Sequence, residues 1–371
     1  MQLTSLSLTQ FKNYKHKEFH FFEDVVCFVG KNGSGKTNVL DAIHYLSTSK
    51  SFIQTVDKNN IHFGENFFLI QGTFEDNKEK NDILCVVKIG QKKIIKKNKA
   101  AFEKLSDFVG QFPSVIISPY DRDLISEGSE IRRKWMDSII SQCDRNYLDN
   151  LIRYNKILDQ RNALLKQFYE NGYFDKESLA LWDNQLIQFG ESIYQERKKF
   201  IEEFVEVFHP IYSYISSGED KIELSYKSQL DDKSFSELLI EHKKKDTLSQ
   251  HSTVGIHKDD LHFLIHEHPI KKYGSQGQQK SFLISLRLAQ YEWLSAHLQK
   301  KPILLLDDIF DKLDSTRVNK LLLFVSQHQY GQIFITDTEK DRVNTLLNGL
   351  SFRFNIYDTE EELIPIVHEE R

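Results

Sequence analysis

Cysteine is scarce in this chain. Cys27, Cys85 and Cys143 lie far apart and match no metal-ligand spacing, which argues against a disulfide framework and suits a reducing cytoplasm. No apolar run approaches the roughly 20 residues of a membrane-spanning helix, so no membrane association is expected. The opening stretch, Met1 to Leu6, reads as the start of a strand and lacks the charged and apolar regions of a signal peptide. Positive charge is not in surplus either. With 49 Lys and Arg against 54 Asp and Glu, the net charge is −5, which argues against a globally basic nucleic-acid binder. Any DNA contact must come from local patches. No internal repeat or low-complexity tract is evident. What is present, 371 residues that are 40% hydrophobic and 28% charged, is the composition of a globular protein with two domains or one domain carrying a large insertion.

The most informative stretch is Gly30-Lys31-Asn32-Gly33-Ser34-Gly35-Lys36-Thr37. It fits the phosphate-cradling P-loop, G-x-x-x-x-G-K-[ST]. The apolar run Val25–Val29 precedes it as a strand, and Asn38 to Ile43 continues as a helix. Successive backbone N–H groups in such a loop converge on one anion, and the helix N-terminus adds its partial positive charge. Lys36 is expected to reach the β- and γ-phosphates of ATP, and Thr37 to ligate Mg²⁺.

Further along, Pro302-Ile303-Leu304-Leu305-Leu306-Asp307-Asp308 reads as a Walker-B strand. Four buried apolar residues deliver two carboxylates to the C-terminal edge of the sheet, where open α/β sheets bind ligands. Asp307 is expected to hold Mg²⁺, and Asp308 to orient and deprotonate the attacking water. Before this strand, Ser275-Gln276-Gly277-Gln278-Gln279 opens an amphipathic helix. It is a second anion-binding helix N-terminus, or an N-cap on Ser275.

Between these motifs the pattern changes twice. Short strands over Leu3 to Leu8, Phe19 to Phe22 and Val25 to Val29 imply that the P-loop strand is not the first of its sheet. Residues 61–75 and 82–97 read as further strands of a small antiparallel subdomain. Lys88 to Lys99 holds six lysines in twelve positions. Within it Lys92, Lys93, Lys96 and Lys97 either meet nucleic-acid phosphates or block an edge strand. Pro113 to Pro119 bounds another strand. Apolar residues then recur at helical spacing, first from Trp135 through Cys143 and Tyr147 to Leu158, then from Trp182 to Phe208. This predicts two long antiparallel helices. Residues 211–250 are polar and mixed and read as a boundary. Strand character returns at Thr253 to Ile256 and Leu261 to Ile265, and strand–helix alternation thereafter signals a parallel, helix-covered sheet.

Several stretches together resemble the bacterial RecF family of the ABC/SMC-like ATPase superfamily. They are Leu6 to Tyr14, the P-loop with Asn32, Leu105 to Gly110, Pro113 to Val115 and Arg132 to Asp137. Gly255-Ile256-His257-Lys258-Asp259-Asp260-Leu261, Ser275 to Gln279, Leu306 to Asp308 and Asp311 to Asp314 complete the set. The resemblance implies an α/β fold. An ABC-type P-loop ATPase head, with a mixed sheet and the small antiparallel β subdomain, would be built from residues 1–122 and 251–371. A helical lobe over 123–250 would be inserted between them. It also implies an ATP-dependent homodimer in which Ser275, Gly277 and Gln278 complete the partner's nucleotide site. The implied role is recombinational repair and replication-fork maintenance. It would involve slow DNA-stimulated ATP hydrolysis on single- and double-stranded DNA at gaps or junctions, helping RecO and RecR load RecA, in the cytoplasm at the nucleoid. Two features depart from relatives. Ser118-Pro119-Tyr120-Asp121 stands where SMC-like proteins carry a Q-loop glutamine, and Ile335-Thr336-Asp337-Thr338 stands where a switch histidine would be.

Three other readings compete. A chromosome-organising SMC-like head needs a coiled coil longer than this insertion. A transporter subunit needs a contiguous domain and the missing histidine. A nucleotide-gated scaffold with little hydrolysis shares most of the same residues.

Overall fold

A computed structural model describes residues 1–216, 218, 220–350, 352–359 and 366–367. In chain order, β1 (Gln2–Phe11), β2 (Tyr14–His20) and β3 (Val25–Val29) lead into α1 (Lys36–Thr48). Then come β4 (Phe67–Asp76), β5 (Glu79–Lys88), β6 (Ile94–Lys97), β7 (Ala100–Ala101) and β8 (Ser114–Ile117). Helices follow: α2 (Asp123–Ser126), α3 (Ser129–Cys143), α4 (Arg145–Asn171) and α5 (Lys176–Ser216). After β9 (Ile222–Lys227) and α6 (Phe235–Ser249) come β10 (Asp260–Ile265), β11 (His268–Pro269), α7 (Ile270–Tyr273) and α8 (Gln276–Leu298). The chain continues with β12 (Ile303–Leu306), α9 (Ile309–Lys312), α10 (Ser315–Gln327), β13 (Ile333–Asp337), α11 (Lys340–Leu347), β14 (Phe354–Asp358) and β15 (Ile366–Val367).

Two compact units result. One comprises Met1–Arg122, Ile211–Gly218 and Lys280–Arg371, and the other Asp123–Pro210 and Glu219–Gln279. The first unit holds two six-stranded sheets, in the orders β2-β1-β4-β5-β6-β7 and β15-β14-β3-β13-β12-β8. The former is antiparallel throughout. In the latter all pairings are parallel except β14 with β15. The parallel strands β3, β8 and β12 are buried along their whole length, as expected of strands covered on both faces. One expectation is overturned here. β2 pairs with β1 and β1 with β4, none of them with β3, so the P-loop strand is the first of its sheet by sequence.

The second unit is helical, with a three-stranded sheet β11-β10-β9. The expected single helix through Trp135 and Leu158 is two helices. Asp144 ends α3 and caps α4, accepting from the Tyr147 N–H at 3.0 Å. Side-chain bonds from Asn150 to Ser192 and from Arg161 to Asp183 run in opposite sequence directions, so α4 and α5 lie antiparallel. Within the polar stretch 211–250, read as a boundary, the described residues include β9 and α6. α6 begins with a capping box in which Ser234 and Glu237 bond each other's backbone N–H. Thr253 to Ile256 is not a strand, and a short 3₁₀ turn occupies Ile256–Lys258 instead.

The second boundary also differs from the expected one. Residues 251–279 group with the helical unit, because β10 pairs with β9 and Asp259 joins Arg197 of α5. Among the described residues no helix is long and apolar enough to cross a membrane.

Candidate nucleotide site

β3 ends at Val29 and the chain turns through the Gly-rich loop into α1. Gly35 sits at φ 107°, and a Cβ there would lie 2.5 Å from Asn13 Nδ2 and 2.7 Å from Tyr14 Oη. The loop therefore needs glycine at this position both for its backbone angle and for the close approach of the β1–β2 turn. That turn clasps the loop. Asn13 Nδ2 donates to the Ser34 carbonyl at 3.3 Å, and the Tyr14 hydroxyl donates to the Gly35 carbonyl at 3.3 Å. Asn38 Nδ2 donates to Asn13 Oδ1 at 2.7 Å. From the far end of the chain, the Thr359 hydroxyl bonds Ser34 Oγ at 2.6 Å. The buried Lys36 ammonium lies within the loop, donating to the carbonyls of Gly30 at 2.6 Å and Lys31 at 2.8 Å.

The Thr37 hydroxyl donates to Asp307 Oδ1 at 2.8 Å, a contact between residues 270 positions apart. Register explains it. β12 and β3 both pair in parallel with β13, so their C-terminal ends emerge at the same edge. Asp307 is buried, and burial raises its proton affinity; hydrogen bonds from Thr37 and Thr336 oppose that shift. A hydroxyl and a carboxylate are hard oxygen donors that suit Mg²⁺, and a dication would offset the cost of a buried carboxylate. The residues present thus fit the implied metal. Asp308 takes a left-handed backbone, φ 50° and ψ 36°, at the turn from β12 into α9.

Thr336 was missed by sequence reasoning. Its hydroxyl donates to Asp307 Oδ1 at 2.9 Å and accepts the Asp308 N–H at 2.9 Å. It stands where the sequence carries no switch histidine, and only the register brings it to the site, since Leu306 pairs with Ile335 and one residue further sets Thr336 beside Asp307. Asp337 is taken up by Arg342, whose Nη2 donates at 2.6 Å. In the Ser118–Asp121 turn, Asp121 accepts the Ser118 N–H at 3.0 Å and two bonds from Arg287. Also missed was a pocket of 410 Å³ beside the loop, lined by Asn13, Tyr14, His16, His62 and Thr359 among others.

The remaining predicted residues fall elsewhere. In the second unit Ser275 caps α8. Its hydroxyl accepts the Gln278 N–H at 3.2 Å, and Gln278 Oε1 accepts the Ser275 N–H at 2.8 Å. Ser275 is exposed and Gly277 and Gln278 are half-buried. The four lysines separate. Lys92 is exposed. Lys93 turns inward, donating to Ser49 O at 2.6 Å, Asp57 Oδ2 at 2.8 Å and the Tyr45 hydroxyl at 3.0 Å. Lys97 bonds Gln111 at 3.3 Å, and Lys96 is half-buried on β6.

A phosphate loop bonded through one hydroxyl to a carboxylate from a distant parallel strand defines the class of P-loop ATPases. Residues 2–355 match the RecF/RecN/SMC N-terminal domain family, which narrows that class to ABC-type heads. The DNA replication and repair protein RecF of Flavobacterium johnsoniae is 49% identical over 358 residues, covering 96% of this chain and all of that relative. That of Phocaeicola vulgatus is 42% identical over 363 residues, covering 97% of each. The chain belongs to the RecF family. A solved structure of the recombination mediator protein RecF-ATP in the RecFOR pathway is similar at TM-score 0.87 and 28% identity, covering 98% of this chain and 97% of that one. An Smc head bound to a ScpA domain is similar in fold alone, at TM-score 0.57 and 14% identity, covering 99% of this chain and 98% of that one.

Proposed function

We propose that this chain is an ATP-driven switch of DNA repair, closing as a homodimer on DNA gaps or junctions and hydrolysing ATP weakly to reopen. The observation that carries this is the bond between Thr37 and Asp307, which joins the two halves of a nucleotide site across most of the sequence. The loop from Gly30 through Lys31, Asn32, Gly33 and Ser34 to Gly35 offers backbone N–H groups to the phosphates. Lys36 supplies the positive charge that balances them. Mg²⁺, held by Thr37 and Asp307, would neutralise phosphate oxygens when bound. Asp308 orients the attacking water and accepts its proton, with Thr336 fixing the turn that carries it. The pocket at Asn13 and Tyr14 suits the base and ribose. Ser275, Gly277 and Gln278 present a capped helix N-terminus to the nucleotide of a second copy.

Lys92, Lys96 and Lys97 remain candidates for DNA phosphates; Lys93 leaves that set because its ammonium is spent internally. The relatives' shared description, and a relative's assignment to the RecFOR pathway, support work with RecO and RecR ahead of RecA, in the cytoplasm at the nucleoid. Light scattering with and without ATP tests this, alongside binding to single strands, duplexes and gapped duplexes. A dimer that needs ATP, and DNA binding that strengthens with it, are expected. A monomer under every condition would contradict the proposal.

A further inference from the structure

The turn from Gly255 to Asp260 is pinned at almost every residue, and nothing in the nucleotide site accounts for it. Gly255 has φ +119°, and a Cβ there would lie 2.6 Å from the Phe235 ring and 2.8 Å from Tyr154 Oη, so only glycine fits. The Ile256 carbonyl accepts Arg197 Nη1 at 2.7 Å. His257 Nε2 donates to the Ser252 carbonyl at 3.1 Å, and its Nδ1 accepts the Tyr154 hydroxyl at 2.9 Å. The buried Asp259 carboxylate accepts Arg197 at 3.0 Å and the Tyr226 hydroxyl. Arg132 grips Asp260 with two bonds, at 2.7 and 3.0 Å.

Lys258 is the exception. It alone of these six residues is exposed, and its ammonium makes no hydrogen bond or ion pair among the described residues. Arg133 stands beside it. Its Nη1 donates to Ser129 Oγ at 2.7 Å and to the carbonyl of Asp259, the residue after Lys258, at 2.6 Å. Its Nε and Nη2 have no partner among the described residues. The carboxylates nearby, Asp137, Asp259 and Asp260, are already paired with Arg197 or Arg132. Both cations act on the same ring, adding to the burial that lowers the His257 pKa to about 4.

We infer that Lys258 and Arg133 form a preset clamp for the phosphodiester backbone of duplex nucleic acid. A lysine point charge beside an arginine fork suits phosphate. Fixing the backbone under Lys258 with two arginines removes disorder that binding would otherwise have to remove. Lys258 is exposed, and among the described residues no glycine-rich N–H cradle surrounds it, so it fits phosphates tracked along a strand rather than an enclosed triphosphate. The inference rests on the proposed DNA binding.

Its test uses the full chain with Lys258→Gln and Lys258→Glu, a fluorescein-labelled duplex over a salt series, and a fluorescent ATP analogue. Lys258→Gln should weaken duplex binding several-fold and flatten the slope of log affinity against log salt by about 0.9. Adding Arg133→Gln, with melting followed as a folding check, should flatten it further. Nucleotide affinity should not change, and Lys258→Arg should restore the slope. Wild-type affinity and slope in both Lys258→Gln and Lys258→Glu would overturn the inference while leaving the DNA reading intact. So would a loss confined to nucleotide. A wild-type chain that binds no duplex would sink both readings, and that outcome is visible before any variant is made.

Discussion

Thr336 touches both Walker-B residues, which gives a single hydroxyl a measurable task. Thr336→Val keeps the shape of the side chain but leaves the Asp308 N–H without its acceptor and Asp307 with one hydrogen bond fewer. Each unmade buried bond costs about 1–3 kcal/mol. Melting should fall accordingly, and ATP turnover at saturation should drop more than ATP affinity, because Thr336 positions the carboxylates rather than the nucleotide. Unchanged turnover would remove it from the site. Lys36→Arg should retain the fold and lose hydrolysis, since a forked guanidinium does not reproduce the compact ammonium between Gly30 O and Lys31 O. Asp308→Asn is a fair probe of the base, because asparagine tolerates the left-handed backbone found there. It should bind ATP, hydrolyse it poorly and accumulate as a dimer in light scattering. A normal rate would exclude Asp308 as the base.

The elements show where sequence reading reached and where it stopped. β3, β8, β12 and β13 were legible as short apolar runs bounded by glycine, proline or carboxylates. The partners of β1 and β2 were not, because a strand's own residues do not name the strand it pairs with. The break between α3 and α4 was hidden for a related reason. Apolar residues continue at four-residue spacing from Trp135 to Leu151 straight through Asp144, and only the cap reveals the interruption. α6 was legible in principle, through Ser234 and Glu237, but its polar surface masked it. The lysine hairpin shows the limit most clearly, because alternation does not say which ammonium turns inward. Lys93→Ala should destabilise the chain by about 1–3 kcal/mol by leaving Ser49 O and Asp57 Oδ2 without their donor, with little effect on DNA binding. Replacing Lys92, Lys96 and Lys97 by Glu should do the reverse. Calorimetry and salt-series DNA binding separate the two outcomes.

For the molecule as a whole, two quantities matter: stability against pH, and activity shared between copies. Burial lowers the pKa of His257 to about 4 from 6.5, so the unfolded chain takes up a proton that the folded one refuses. Its contribution to stability is complete above pH 6.5 and is lost as pH falls toward 4. The stability gap between wild type and His257→Gln should therefore narrow by up to about 1.4 kcal/mol per pH unit below 6.5. Denaturant melts at pH 7.5 and 5 measure it, and a constant gap would show that His257 is not held neutral.

The central claim is that each ATP site takes its P-loop from one copy and its capped α8 N-terminus from another. Lys36→Arg and Ser275→Arg should each be inactive alone, the latter because bulk and positive charge at the helix N-terminus block closure on the γ-phosphate. In a mixed dimer one site collects both defects, and the other has an intact loop facing an intact cap. The decisive measurement is ATP hydrolysis across a titration of one inactive protein with the other. The account predicts recovered activity with a maximum near equal proportions. No recovery at any ratio, with heterodimers present, would contradict it.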